Sequence, residues 1–144
     1  MAIPTGTIKQ KIKFNCTPKQ IYEAFMDSKK HSKFTDTESV LDPKVGGKFV
    51  CGDGYMKGKT IELIPNKKIV QTWIADQDNW PKKHFSEISL NFKEINDGTE
   101  LEFTHVGVPE VCVKDIEKGW HDYYWDPLKE YFDKINKKKK STKR

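Results

Sequence analysis

Residues 116–135 read IEKGWHDYYWDPLKEYFDKI. Ile116, Trp120, Tyr123/Tyr124, Leu128, Tyr131 and Ile135 recur at three- and four-residue steps, which lines them up on one face of a helix. Charged residues fill most of the other positions, so the segment predicts a long amphipathic helix with an aromatic stripe. Gly119 lies inside it, next to Trp120. A helical glycine costs about 1 kcal/mol relative to alanine, and close approach to a sheet is the expected reason for it. Pro127 is expected to kink the helix, or to restart it with Asp126 as the cap.

Upstream of that helix the apolar period drops toward two. Ile8, Ile12 and Phe14 share one strand face, with Gln10 as the exception. Thr17-Pro18-Lys19-Gln20 carries a capping-box pattern with proline at the first helical position, and Ile21, Ala24 and Phe25 form the stripe of the helix it opens. A short second helix is expected over Lys29 to Phe34. Short strands and tight turns follow. Lys48–Cys51 is a strand, and Asp53-Gly54 signals a hairpin. Tyr55–Ile64 is a strand interrupted by Gly58, where a bulge or close approach is expected. Lys68–Ala75 is rich in strand formers. Ile88, Leu90 and Phe92, then Leu101, Phe103 and His105, alternate with polar residues across the turn Asn96-Asp97-Gly98, as an antiparallel hairpin with one wet face does.

The order strand, two short helices, antiparallel strands, long helix is an α+β pattern. It predicts a curved sheet of about six strands around the C-terminal helix. The 144 residues suit one domain. Only 35% of them are hydrophobic, yet four Trp and eight Phe are present. Each large aromatic buries about 150–250 Å², roughly 4–6 kcal/mol of gross transfer energy at about 25 cal/mol per Å², so a few of them supply much of the core.

The net charge of +5 is local. Six basic residues fall in 137–144; without them, 20 basic residues face 21 acidic ones in 1–136. The domain is therefore assigned to 1–136, and 137–144 to a basic tail expected to be disordered. A nucleic-acid-binding domain carries its positive charge on the folded body, so no nucleic-acid partner is expected. No apolar run approaches the length of a membrane span, and the start of the chain shows no signal-peptide pattern. Cys16, Cys51 and Cys112 lack ligand spacing, which argues against a zinc site and a disulfide framework. Free thiols point to a cytoplasmic protein.

Neither metal nor cofactor is expected, and no catalytic residue is assigned. GxSxG and Walker patterns are missing. Glu100/Glu102 read as solvated charge on an outer strand face, and Asp76/Asp78 has too few oxygen ligands around it for a calcium loop. His105 shares a face with Leu101 and Phe103. It reads as a hydrogen-bonded core histidine, against the alternative of a proton-transfer group facing a pocket. The stripe Trp120, Tyr124 and Leu128 is either plain core or one wall of a cavity for a small apolar ligand. Trp73, Ile88, Leu90, Phe103 and His105 are the candidates for the remaining wall.

Several pieces, in order, resemble the activator of heat shock protein 90 ATPase family. They are Gly46-Gly47-Lys48-Phe49, Asp53-Gly54, Gly58, Leu63 to Val70 through Trp73, Trp80 to Phe85, Gly98-Thr99-Glu100-Leu101, Val106-Gly107-Val108-Pro109 and Gly119 to Tyr124. The likeness runs over about residues 8–135 and is nearest to the C-terminal domain of the eukaryotic co-chaperone. It implies a START-like, SRPBCC helix-grip fold and non-catalytic work: binding heat shock protein 90 and stimulating its ATPase. Trp80, Lys82, Lys83 and His84 are the candidate partner-facing residues. The eukaryotic co-chaperone also carries an N-terminal docking domain, for which Asn79-Trp80 is too short to stand. Two alternatives to activation therefore stay open: carriage or sensing of a small apolar ligand between helix and sheet, and cyclase-like chemistry around His105.

Overall fold

The computed structural model describes the backbone of residues 3–142 and the side chains of residues 3–136. Strand β1 (Thr5–Phe14) leads to helices α1 (Pro18–Met26) and α2 (Ser28–Thr35). The predicted capping box is formed, with the Thr17 hydroxyl accepting from Gln20 N–H at 3.1 Å and the Gln20 side chain accepting from Thr17 N–H at 2.9 Å. Six more strands follow: β2 (Val40–Leu41), β3 (Lys48–Cys51), β4 (Met56–Ile64), β5 (Lys68–Ala75), β6 (Ser86–Ile95) and β7 (Gly98–Pro109). The chain ends in α3 (Val113–Trp120), a π-helical turn over His121–Trp125, and α4 (Asp126–Thr142).

All seven strands lie in one antiparallel sheet of order β1-β7-β6-β5-β4-β3-β2. With the long helical arm packed on it, this is the expected helix-grip fold. The strand beyond the predicted six is β2, whose two residues pair with β3 as Val40↔Val50 and Leu41↔Phe49. A two-residue strand has no alternation to read.

The apolar series Ile116, Trp120, Tyr124, Leu128 and Phe132 is buried throughout. On a straight helix of 3.6 residues per turn, four successive steps of four residues drift by about 160°. The wide π turn winds part of that drift back. Asp126 N–H reaches His121 C=O, five residues earlier, and Trp125 joins the buried face. The same turn accommodates Pro127, whose missing N–H would otherwise leave the ladder one bond short. Asp126 is thus not the expected cap: its backbone is helical, and its N–H closes the π turn.

Gly58 is a close-approach glycine. A Cβ there would lie 1.8 Å from the Thr72 carbonyl oxygen and 2.7 Å from Phe49. The register shift in β4 falls later, between Thr60 and Glu62. Gln10, the exception on β1, accepts from Trp125 Nε1–H at 2.6 Å and donates to Glu117 C=O at 3.1 Å, tying β1 to the helical arm. The backbone of α4 continues past residue 136. The side chains of 137–144 lie outside the described residues, and the expectation of a disordered tail falls there.

Candidate functional site

Between α3 and the β4–β5 end of the sheet lies a cavity of about 450 Å³. Helix α3 contributes Asp115, Ile116, Gly119 and Trp120, and the π turn contributes Tyr123 and Tyr124. The facing wall is Trp73 of β5 with Tyr55 and Met56 at the start of β4. Thr35, Thr37, Gly52 and Gln77 complete the lining. The Tyr55 hydroxyl donates to Gln77 Oε1, and burial pushes the Tyr55 phenol up to about 12. Asp115 is the one charged side chain among these residues.

Trp73, Trp120 and Tyr124 therefore line the cavity. Ile88, Leu90, Phe103, His105 and Leu128 do not; they are packed in the core behind it. Phe103 sits with its ring centroid 4.6 Å from that of Trp120 and 5.0 Å from that of Trp125. Trp73, Trp120 and Tyr124 on the lining and Phe103 and Trp125 behind it are each packed against another of these rings.

His105 is fully buried, and both of its ring nitrogens are occupied. Trp120 Nε1–H donates to His105 Nδ1 at 3.1 Å. The proton must then sit on Nε2, which donates to Ser86 Oγ at 2.8 Å. The Ser86 hydroxyl donates in turn to the Trp73 carbonyl oxygen at 2.7 Å. Burial lowers the His105 pKa to about 3. This relay fixes the two tryptophan walls relative to each other, and it leaves the imidazole no free nitrogen for a proton-transfer step in the cavity.

Tyr124 is held by a second buried histidine. His31 Nδ1–H donates to Phe25 C=O at 3.1 Å, so His31 Nε2 accepts from the Tyr124 hydroxyl at 2.7 Å. Burial lowers His31 to about 4, with the Phe25 bond opposing, and raises Tyr124 well above its ordinary value. The pairing joins residues 93 positions apart, and no local spacing in the sequence marks it. The rim residues Tyr55, Gln77 and Asp115 were equally invisible, since loops and helix meet there only through the fold.

The wall has one polar group without a partner. Trp73 is 2% exposed, and its indole N–H finds no acceptor among the described residues. Gly119 is also unexplained by packing. A Cβ built on it meets only Tyr123, at 3.8 Å, so the expected close approach to the sheet is not the reason for this glycine.

The other candidate surface is the loop leaving β5. Trp80 is buried, its Nε1–H donates to His84 C=O at 2.8 Å, and its ring lies edge-on to Trp73 with centroids 5.5 Å apart. His84 Nε2 donates to Gly107 C=O at 2.8 Å. These two residues pin the loop to the sheet. Lys82 and Lys83 are exposed between them, and Phe85 beside them is 54% exposed. Among the described residues no cluster of His, Cys, Asp or Glu could hold a metal ion, and no helix is long and apolar enough to cross a membrane.

Residues 15–133 match the family described as Activator of Hsp90 ATPase homolog 1-like protein. The chain belongs to that family. The human "Activator of 90 kDa heat shock protein ATPase homolog 1" is 34% identical over 130 residues, which are 90% of this chain and 38% of the human protein. The Dictyostelium discoideum homologue is 33% identical over 136 residues, 92% of this chain and 34% of that protein. The chain thus spans little more than a third of the length of the curated relatives it matches. A solved structure of an HSP90 activator from Plasmodium falciparum has a TM-score of 0.76 at 22% identity, covering 83% of this chain and 91% of that one. At that identity the likeness is one of fold. In this Hsp90-activator-like domain, cavity and loop share a strand: β5 carries Trp73 on the cavity wall and runs directly into the Lys82–Lys83 loop.

Proposed function

We propose that this chain is a non-catalytic, cytoplasmic binding module that associates with heat shock protein 90 and raises its ATP turnover. The observation that carries the reading is the family match over residues 15–133, together with relatives named as activators of that ATPase. The committed imidazole of His105 supports a module without chemistry of its own, and three buried free thiols suit a reducing compartment.

The mechanism is selection. An effector shifts a conformational equilibrium only by its difference in affinity for the two states. A module that binds the hydrolysing conformation of the chaperone tenfold more tightly shifts that equilibrium by about 1.4 kcal/mol. The exposed Lys82 and Lys83, with Phe85 beside them, are the proposed contact, and Trp80 and His84 hold it in shape.

Calorimetric titration of the chain into heat shock protein 90, nucleotide-free and with a non-hydrolysable ATP analogue, tests this. Binding at least tenfold tighter with the analogue is expected, and K82E/K83E weakens it. Absent binding, or equal affinity in both states, would refute the reading.

A further inference from the structure

The helical arm covers one face of the sheet. Phe49, Met56, Trp73 and Ala75 are buried toward it, so the residues that alternate with them turn outward. On that outer face the register sets Val40 beside Val50, Val50 beside Lys57 and Lys57 beside Ile74. Phe85 extends this row, since the next residue, Ser86, pairs with Trp73. Val40, Val50 and Phe85 are exposed and Ile74 is half-buried. Four apolar side chains thus stand in one line on a wet face, which differs from singly scattered exposure. The flank of the row is basic. Lys48 lies directly opposite Lys59, a like-charge arrangement that costs stability. Among the described residues neither of these two, nor Lys57, takes part in an ion pair. Asp42, whose N–H bonds the Lys48 carbonyl, pairs instead with Lys44 at 3.8 Å. In the other direction the first carboxylate is Glu87, beyond Thr72.

We infer that this outer row docks an amphipathic helix of a partner protein, with acidic residues along the flank that meets Lys48, Lys57 and Lys59. The row runs across the strands, so a segment lying on it follows a straight line over the sheet and does not extend the sheet's edge. Four steps of about 4.8 Å make it about 19 Å long, the length of about 13 helical residues. A helical apolar stripe covers such a line, and carboxylates on one flank supply the partners that the three lysines lack. A second copy of the chain fits poorly. Lys57 is the middle residue of the row, so a twofold contact centred there sets Lys57 against Lys57. A lipid surface fits poorly too, because the valines are shorter than the lysines beside them and cannot enter the headgroup layer first. The inference stands whether or not the chain acts on heat shock protein 90.

The test adds to the intact chain a stapled model helix of about 13 residues, with leucines on one stripe and glutamates along one flank. The control is the same helix with lysine in place of glutamate. Saturable one-to-one binding of the glutamate helix is expected, at least tenfold tighter than the control. In a ¹H–¹⁵N spectrum the amides of Val50, Lys57, Lys59 and Ile74 shift on its addition. K48E/K59E alters two exposed positions; it weakens the glutamate helix at least tenfold and strengthens binding of the lysine helix. If that variant fails to fold, the shifts in the unaltered chain decide. The inference is overturned by a glutamate helix that does not saturate, by a control that binds equally, or by a folded K48E/K59E that binds unchanged. Shifts confined to residues 137–144 overturn it as well, since the helix is then held by the basic tail. So do the same four amides moving with protein concentration alone, which assigns the row to a second copy, or moving with phosphatidylserine vesicles and not with the glutamate helix, which assigns it to a membrane.

Discussion

His105 and His31 are the residues that set the behaviour of the core. Each is buried, neutral and bonded through both ring nitrogens. Their folded-state pKa values are lowered to about 3 and about 4. An unfolded chain protonates both near the ordinary histidine value of about 6.5. Below that pH the unfolded state binds more protons, so stability falls as the pH drops and is unaffected above it. At pH 5 each histidine withdraws about 2 kcal/mol. Urea unfolding at pH 7.5 and pH 5 checks this: the midpoint falls in the wild type, and H105Q reduces the drop. A midpoint that does not move would contradict the assignment. Tyr124 belongs to the same network. Y124F leaves His31 Nε2 buried without a donor, and chemical denaturation is expected to show a loss of about 1–3 kcal/mol with the fold retained.

At the scale of elements, the helical arm is the informative one. G119A removes a helix-interior glycine, and its new methyl meets no atom closer than 3.8 Å. It should stabilise the protein by about 1 kcal/mol, read as a higher unfolding midpoint; a lower midpoint would mean the space is not open. The amphipathic period of this arm and the alternation on β1, β6 and β7 were plain in the sequence because each repeats over several turns or pairs. The π turn was not, since one extra residue in a helix leaves no period of its own; Pro127 only marked that something irregular was near. β2 escaped for want of length. The cavity was only half legible. Trp73, Trp120 and Tyr124 stood among the candidates, but Phe103 and His105, on β7 two strands away with the same alternation, belong to the layer behind. Periodicity tells which face of an element is buried and says nothing of whether that face meets atoms or space. Trp80 and His84 make the same point for the loop: an aromatic and a histidine in a polar stretch look like contact residues, and here their hydrogen bonds turn inward.

For the whole molecule, the arrangement is a sheet closed over one aromatic arm, with the loop that carries Lys82 and Lys83 springing from the strand that walls the cavity. The two buried histidines of this body are bonded through both ring nitrogens, which is consistent with the proposed binding role. The negative charge of residues 1–136 is nearly balanced, so binding through Lys82 and Lys83 is expected to depend on local contacts more than on long-range attraction. The most direct measurement of the central claim is the steady-state ATP turnover of purified heat shock protein 90 as this chain is titrated to saturation. A saturable rise in turnover, reduced in K82E/K83E, is the expected result. Turnover that stays flat at saturating chain would contradict it.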